Sequence, residues 1–567
     1  MFLYTSLMNQ LQRIVIIVFA VLLAYLPSFN NPFIWDDEQF IYKNRFVQNF
    51  AVQEIFTTNT IAGAGENSNY YRPLTTLSFA IDYQIWGLNP LGFHLNNTLL
   101  HALAAVLVLL ILRELTLKES LALAVALVFA LHPLQAQAVT YVNSRGDSLY
   151  TFFAFVSVLL FIWLLKQKKF QLQLYNLQWT GSKTWWAVGA VLAYVLAVLS
   201  KEIGLATLGL WGLLLGWFLL TGKKQVNWKD FWHKQHTAVI TFFAAIGTAA
   251  GYLVLRATWL KFTEALNAYA SGDPYGESIL VRLATFAKVL WMYLKLILVP
   301  YPLHMERTTD YVLSIFSPWV IAALAITVAL LWLGWREWRR KGSVWIWFGG
   351  GWFLGMLVPV SGIIPINGIL YEHWLYVPIV GFCLVVIGLV KVFDWERLLE
   401  NQVVKTLFGL LLVIYLLLTW HQNYIWGDQV RFYTHTLKYA DAARLHNNLA
   451  MAYADRGQLD EAIESYQAAL ERGPGYPQIY HNMANAYAEL GEYKQAQEWY
   501  EKALQKDPGF YFTYLQLIKM YVELGEFETA YEYLDRLAQN VPNAEALVQG
   551  VRLEVQQLER KSGNAVQ

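Results

Sequence analysis

The sequence predicts an all-α protein in two parts, a polytopic membrane helix bundle followed by an α-solenoid. The 567 residues are 56% hydrophobic and only 15% charged, whereas soluble proteins carry about a quarter charged residues. Apolar runs long enough to cross a bilayer recur as far as Trp420 and then stop. Beyond them, small and aromatic residues repeat about every 34 residues, the period of stacked helix pairs.

Hydropathy predicts about eleven membrane spans. They lie at residues 14–29, 93–112, 121–139, 149–165, 185–199, 203–220, 238–255, 318–335, 344–360, 375–392 and 404–420. A further segment, 279–299, is ambiguous because Arg282, Lys288 and Lys295 lie along it. The two lysines share a helix face, which is typical of a helix lying in the membrane interface. We therefore expect this segment not to cross.

Clusters of Lys and Arg between the spans predict the orientation, because such clusters stay on the cytoplasmic side. We place the N-terminus on the cytoplasmic side and residues 279–299 flat in the membrane interface. All five clusters are then cytoplasmic: 113–118, 166–169, 223–229, 336–341 and 391–397. The first loop, 30–89, and the C-terminal domain then both lie outside. An extra crossing at 279–299 would invert the side of the last two clusters and of the C-terminal domain.

Composition excludes several other classes of protein. The net charge is +1, without the basic stripe of a nucleic-acid-binding protein. The single cysteine, Cys383, lies in an apolar run and forms no internal disulfide. The first run lacks an A-x-A-like cleavage site, so we interpret it as a retained span. His94, His101 and His132 lack metal-ligand spacing, and we predict no metal site.

The predicted topology places acids and bases together at the outer ends of different spans. Such a set is what a membrane-embedded site for a charged substrate requires. Its members are Asp36, Asp37, Glu38, Arg72, His132, Arg145, Asp147, Lys201, Glu202, Glu306, Arg307, Glu372 and His373.

Several motifs resemble a known family. Trp35-Asp36-Asp37 resembles the acidic first-loop motif of GT-C glycosyltransferases. Further segments are similar, in order, to the transmembrane-and-TPR O-mannosyltransferases: Tyr71-Arg72-Pro73-Leu74 through Asp82-Tyr83 to His101, His132-Pro133, Tyr141 to Asp147, Leu199-Ser200-Lys201-Glu202, and Pro359 to Gly381 with Tyr371-Glu372-His373-Trp374. The chain departs from the family pattern at Gln137, where Glu is usual, and at His373, where Arg is usual.

The resemblance implies a GT-C-like integral membrane enzyme. It would be an inverting glycosyltransferase that moves a sugar, with mannose as one candidate, from a polyprenyl-phosphate donor to a hydroxyl outside the membrane. The lipid-linked sugar is a substrate, and no cofactor is expected. Asp36 aligns with the leading acid of the motif and is the expected base, with Asp37 as its helper.

The remaining outer residues divide into two expected roles. Arg72, Arg145 and Lys201 are expected to hold the donor phosphate, and Asp147, Glu202, Glu372 and His373 the substrate. Structural alternatives stay open at this point. Asp36 and Asp37 are also suited to begin an interfacial helix, and Arg145 with Asp147 or Lys201 with Glu202 are possible ion pairs.

The C-terminal domain, beyond residue 424, matches the TPR pattern. Glycines, tyrosines, alanines and prolines recur in step over three repeats at 444–543. Residues 425–443 are expected to form a linker or half-repeat, and 544–567 a capping helix and tail. A TPR groove binds proteins or peptides, so a polypeptide acceptor is the expected partner. A structural spacer or dimerisation surface is the alternative.

Two other functions fit the same sequence. The first is a non-enzymatic, membrane-anchored TPR scaffold, in which the Asp36 carboxylate would not be needed. The second is a glycosyltransferase that modifies lipid or polysaccharide instead of protein. Analysis of which cell fraction loses sugar in a deletion strain would separate these acceptors.

Overall fold

The computed structural model describes residues 2–168, 170–174, 177–181, 183–221, 228–262, 269, 272–366 and 368–565. The chain divides into two compact units, Met1–Gly427 and Asp428–Gln567. The predicted boundary at residue 424 lies three residues before the division. Part of the predicted basic cluster at 223–229 lies outside the described residues.

The first unit is built from helices. In chain order they are α1 (Phe2–Tyr25), α2 (Arg45–Gln48), α3 (Val52–Thr57), α4 (Pro73–Trp86), α5 (Pro90–Glu114), α6 (Glu119–Leu131), α7 (Ala136–Val139), α8 (Arg145–Leu165), α9 (Thr184–Ser200), α10 (Thr207–Leu220), α11 (Trp228–Ala257), α12 (Pro274–Glu277), α13 (Ile279–Leu298), α14 (Pro318–Lys341), α15 (Trp345–Leu357), α16 (Pro378–Val392) and α17 (Gln402–Trp426). A two-stranded antiparallel hairpin, β1 (Phe170–Leu174) and β2 (Leu177–Gly181), connects α8 to α9.

The predicted membrane helix bundle is confirmed. By length and composition, seven described helices are able to cross a bilayer. An eighth span, Glu119–Leu131 with Pro133–Val139, is bent by 49°. Three shorter apolar helices are Thr184–Ser200, Trp345–Val360 and Pro378–Val392. Each predicted run falls on one of these helices, so hydropathy alone located them all. The hairpin between α8 and α9 was not predicted.

The ambiguous segment forms α13, a 20-residue helix. Because it carries three basic residues, α13 is not among the helices that are long and apolar enough to cross a bilayer. Arg282 is buried and donates hydrogen bonds to the carbonyls of Gly362 (Nε), Tyr275 and Gly276. This residue therefore ties α13 to two loops, while Ile279 and Leu280 remain exposed.

The second unit consists of helix pairs. They are α18 (Gln429–Leu437), α19 (Ala443–Ala454), α20 (Leu459–Arg472), α21 (Pro477–Glu489), α22 (Tyr493–Lys506), α23 (Tyr511–Glu523), α24 (Phe527–Asn540) and α25 (Glu545–Ala565). Gly457, Gly491 and Gly525 follow the first helix of each pair with φ of 71°, 79° and 78°, a conformation that favours glycine. The predicted solenoid is thus present, and these glycines explain the repeat seen in the sequence.

A buried carboxylate joins two helices of the membrane unit. Glu337, near the end of α14, is 0% exposed. It accepts hydrogen bonds from the hydroxyl of Ser343 (2.7 Å) and the backbone N–H groups of Trp345 (3.0 Å) and Ile346 (2.9 Å). The first N–H groups of α15 have no partner within their own helix. Glu337 therefore satisfies the start of α15 and fixes the α14–α15 turn.

Replacing this carboxylate is expected to destabilise the fold. Glu337→Ala leaves the buried N–H groups of Trp345 and Ile346 without an acceptor, at a cost of about 1–3 kcal/mol each. Thermal unfolding of the purified full chain in detergent should show a clearly lower midpoint. Glu400→Gln, at an exposed glutamate whose ion pair with Lys118 spans 3.8 Å, should leave the midpoint unchanged. Equal midpoints for the two variants would contradict the role of Glu337.

Candidate active site

The candidate site is built on residues 132–148, an irregular segment that follows α6 and ends in the first turn of α8. Pro133 follows the end of α6, and the chain continues in short turns before α8 begins at Arg145. Most of the segment is buried. Irregular backbone inside a membrane bundle needs hydrogen-bond partners from the protein. Asn97 of α5 supplies them, because its Nδ2 lies 3.2–3.4 Å from the carbonyls of Val139, Tyr141 and Val142.

Other helices hold the same segment. His132 contacts the carbonyl of Ile297 through Nε2 (3.0 Å), and Gln135 donates to the carbonyl of Tyr376 (3.3 Å). Thr140 donates to Oδ1 of Asn423, and Ser148 to the carbonyl of Ala138 (3.1 Å). His132 thus has a packing role. The segment is a rigid platform to which the predicted site residues attach.

The two first-loop aspartates have different environments. Asp37 is 1% exposed, and its carboxylate accepts hydrogen bonds from the N–H groups of Ile34 (2.9 Å) and Asn143 (2.8 Å). Burial raises the pKa of Asp37 to about 8. Asp36 is only partly buried, and its backbone N–H donates to the hydroxyl of Tyr141 (3.1 Å). Asp37 therefore anchors the loop, and Asp36 is the aspartate with access to solvent.

The structural alternative, in which Asp36 and Asp37 begin an interfacial helix, is only partly present. A π-helical turn, Glu38–Tyr42, begins directly after Asp37. The Asp37 side chain does not cap this turn. Its Oδ1 instead accepts from the N–H of Asn143 in the platform, a long-range contact that the local sequence does not encode, while Oδ2 accepts from Ile34 in the same loop.

Arg145 is enclosed by the protein. It is 1% exposed, forms an ion pair with Asp82, and donates to Oδ1 of Asn97 (Nε, 2.7 Å) and the carbonyl of Phe93 (2.9 Å). Its guanidinium also lies over the Phe79 ring, 4.7 Å from the centroid. The predicted alternative partner, Asp147, is therefore wrong. These contacts support the alternative that Arg145 forms a structural ion pair, but its partner is Asp82.

The other predicted cations form two adjacent ion pairs. Arg72 Nε binds Oε2 of Glu202 (3.0 Å), and Lys201 Nζ lies 2.7 and 2.8 Å from the two carboxylate oxygens of Asp147. The predicted pairing of Lys201 with Glu202 is therefore also wrong. Glu202 additionally accepts from the N–H of Tyr71 (3.1 Å). The four charged residues meet where α4 and α8 begin and α9 ends.

Two residues that the sequence analysis did not single out complete this cluster. Arg256, at the end of α11, donates to Asn69 and lies over the Tyr71 ring, 5.9 Å from its centroid. Tyr252, one turn earlier, interacts electrostatically with Glu202 and Arg72. Its buried hydroxyl has no hydrogen-bond partner among the described residues. A buried hydroxyl without a partner is a candidate contact for a ligand.

The charges of the cluster favour an anion. Arg72, Lys201 and Arg256 carry three positive charges, and Asp147 and Glu202 carry two negative charges, which leaves one net positive charge. Asn143, whose backbone N–H binds Asp37, precedes Asp147 of the cluster by four residues. The platform thus carries contacts both to the first-loop aspartates and to the cationic cluster.

Glu372 has a separate partner. Arg307 donates to its carboxylate through Nε (2.8 Å), and the N–H of His304 does so at 2.9 Å. Burial raises the pKa of Glu372, while Arg307 lowers it. Glu372 thus fixes the loop before α14 through Arg307 and His304.

The next residue, His373, belongs to the cluster. Its backbone N–H donates to Oε1 of Gln137 (2.9 Å). These are the two positions at which the chain departs from the family pattern, and they are in direct contact. The contact joins the Gln137 side chain to the His373 backbone, and the spacing in the sequence did not reveal it.

Several supporting residues were missed by the sequence analysis. Asp82 and Asn97 lie within motifs that carried the resemblance, but neither was assigned a role. A polar side chain such as Asn97 within a membrane span is a usable signal, because it is costly without a partner. Arg256 and Tyr252 gave no comparable signal, since they lie near the end of a span where polar residues are common.

Comparison with known proteins adds to this geometry. The family model of dolichyl-phosphate-mannose-protein mannosyltransferases matches residues 14–262, and two tetratricopeptide-repeat models match 441–507 and 493–553. The resemblance to the transmembrane-and-TPR O-mannosyltransferases is confirmed. The mouse protein O-mannosyl-transferase TMTC4 is 25% identical over 492 residues. The fruit-fly (Drosophila melanogaster) protein O-mannosyl-transferase Tmtc1 is 34% identical over 129 residues, or 22% of this chain and 15% of that protein.

Coverage of these relatives is partial. The match covers 80% of this chain and 65% of the mouse protein, just under two thirds of its length. Among solved structures, an oligosaccharyltransferase from Archaeoglobus fulgidus is similar over 78% of this chain and 59% of that chain, at 15% identity and a TM-score of 0.40.

The enclosed pair of Arg145 and Asp82 yields a stability prediction. Arg145→Gln leaves the Asp82 carboxylate buried without its cation, which typically costs about 3–5 kcal/mol. Thermal unfolding of the full chain should show a large loss for Arg145→Gln and for Asp82→Asn, and a double-variant loss smaller than their sum.

The matched control is Arg72→Gln, at a cation that is 16% exposed and whose partner Glu202 keeps its bond to Tyr71. This variant should unfold near the wild-type midpoint. If Arg145→Gln unfolded like wild type but bound polyprenyl phosphate more weakly, Arg145 would be a donor ligand and not a structural residue.

Proposed function

We propose that this chain is an integral membrane inverting glycosyltransferase that moves a sugar, with mannose as the first candidate, from a polyprenyl-phosphate donor to a protein hydroxyl at the outer membrane face. The observation that carries the proposal is the position of Asp36. Asp36 is only partly buried, and its backbone N–H is bonded to Tyr141 of the platform that also carries the net-cationic cluster. The relatives named protein O-mannosyl-transferases support the reaction type.

The cluster suits the donor phosphate. Arg72 donates to Glu202 through Nε, while its terminal guanidinium nitrogens have no hydrogen-bond acceptor among the described residues. Arginine binds phosphate oxygens through two parallel N–H groups. Lys201 adds a compact positive charge beside it. The lipid phosphate would therefore lie between Arg72 and Lys201, whereas Arg145 supports the platform from within the bundle.

The chemistry then follows from the two parts of the site. Asp36 accepts the proton of the acceptor hydroxyl, and the hydroxyl oxygen attacks the anomeric carbon of the sugar. The bond between that carbon and the phosphate oxygen breaks, and polyprenyl phosphate leaves with the electron pair. Arg72 and Lys201 stabilise the charge that develops on the leaving phosphate. Attack from the face opposite the leaving group inverts the anomeric configuration.

The orientation and the acceptor are part of the same proposal. With eleven crossings and α13 in the interface, the basic clusters stay cytoplasmic and the second unit lies outside with Asp36. The TPR repeats there would bind the polypeptide acceptor. Cysteine labelling of whole cells at Gly342 and after Gly427 tests this directly. The proposal expects only the second position to react with an impermeant reagent, and the reverse result would contradict it.

Removing the proposed base is expected to abolish transfer. Asp36→Asn should lower the rate of sugar transfer about 10²–10⁴-fold, the usual contribution of a general base, with an unchanged unfolding midpoint. The measurement is incorporation of labelled sugar from polyprenyl-phosphate mannose by the purified full chain.

Two neighbouring acids provide controls. Glu38→Gln, in the same loop, should retain transfer, because Glu38 forms an ion pair with Lys43. Asp37→Asn should lower stability, because the buried carboxylate binds two backbone groups. A loss smaller than tenfold in Asp36→Asn would remove Asp36 from the base role. If the wild-type chain transferred sugar to no acceptor but bound a partner through its TPR repeats, the scaffold function would be favoured.

A further inference from the structure

One group in the cluster has no role in the steps above. Nδ1 of His373 is buried and has no hydrogen-bond partner among the described residues. His373 nevertheless lies within electrostatic range of Asp147, Lys201 and Arg72. A buried polar atom without a partner, beside a cluster that suits a charged ligand, calls for an occupant that completes its hydrogen bond.

The His373 side chain is held in a fixed orientation. Its ring stacks on Tyr371 at a centroid distance of 5.4 Å and an interplanar angle of 22°. Trp374 meets the His373 ring edge-on at 6.1 Å, and Gln137 holds the backbone N–H. Gly368, at φ 98°, packs against Tyr371 so closely that a Cβ there would lie 2.3 Å from the ring. Gly368 therefore lies against one side of the Tyr371 ring, where a residue with a side chain would not fit.

The chemistry of His373 differs from that of its neighbours. Burial lowers the pKa of its imidazole to about 3, although Asp147 acts in the opposite direction. The ring is neutral at physiological pH and offers one hydrogen bond without charge. Arg72 and Lys201 already offer charged donors to a phosphate, whereas the neutral imidazole is able to donate to or accept from an uncharged hydroxyl group.

We propose that His373 binds one hydroxyl group of the transferred sugar and thereby selects which sugar the donor carries. The inference rests on the proposed function, since it requires the donor phosphate beside Arg72 and Lys201. The cluster then has two subsites, one cationic for the phosphate and one neutral for the sugar. Tyr371 and Gln137 act as positioning residues that aim the imidazole.

The test is equilibrium binding by the full chain in nanodiscs. The probes are polyprenyl phosphate, polyprenyl-phosphate mannose and the four mono-deoxy forms of that donor. Wild type should bind mannose donor more tightly than polyprenyl phosphate, and one deoxy form should bind about tenfold more weakly than the full donor, the effect of one hydrogen bond. His373→Phe should bind that deoxy form and the full donor equally well, with unchanged affinity for polyprenyl phosphate.

Phe keeps the stacking on Tyr371 and the backbone bond to Gln137, so the fold should persist. His373→Asn, whose amide can reach the position of Nδ1, should restore part of the discrimination. The sugar subsite alone would be overturned if His373→Phe discriminated among the deoxy donors as wild type does. It would also be overturned if wild type bound the mannose donor no better than polyprenyl phosphate. Wild type that binds neither lipid would overturn the proposed function, and the subsite with it.

Discussion

The hydrogen-bonding needs of the buried segment 132–148 constrain the rest of the membrane unit. A bilayer offers no water to irregular backbone, so each carbonyl and N–H group of the segment needs a partner within the protein. The Asn97 amide of α5 shares its two N–H donors among three of these carbonyls, and Asn143 of the segment in turn binds Asp37. The same constraint that holds the bundle together therefore places the first-loop aspartates beside the start of α8.

Charge burial divides the predicted site residues by role. Arg145 has protein acceptors on each side and is completely enclosed, so its charge stabilises the platform. Arg72 and Lys201 are 16% and 13% exposed, which leaves them in reach of a ligand. Asp36 and Asp37 are neighbours in the sequence and differ only in where their side chains point. Burial, not residue type, therefore separates structural from chemical residues here.

The sequence located the helices because apolar runs and repeat spacing are local properties. It also located most of the charged residues of the site, since these lie within short motifs, but it missed Arg256. It could not assign their partners. Arg145 pairs with Asp82 from a different helix, and Lys201 pairs with Asp147 instead of adjacent Glu202. Such choices depend on how helices far apart in the chain pack, and the contact between Gln137 and His373 is hidden for the same reason.

The most direct measurement is an experimental structure of the full chain with a bound polyprenyl-phosphate sugar in a lipid nanodisc. The donor phosphate should lie within hydrogen-bond distance of Arg72 and Lys201, with the anomeric carbon facing Asp36 and the sugar against His373. A donor bound at the opposite end of the bundle, or with its phosphate distant from Arg72 and Lys201, would contradict the account.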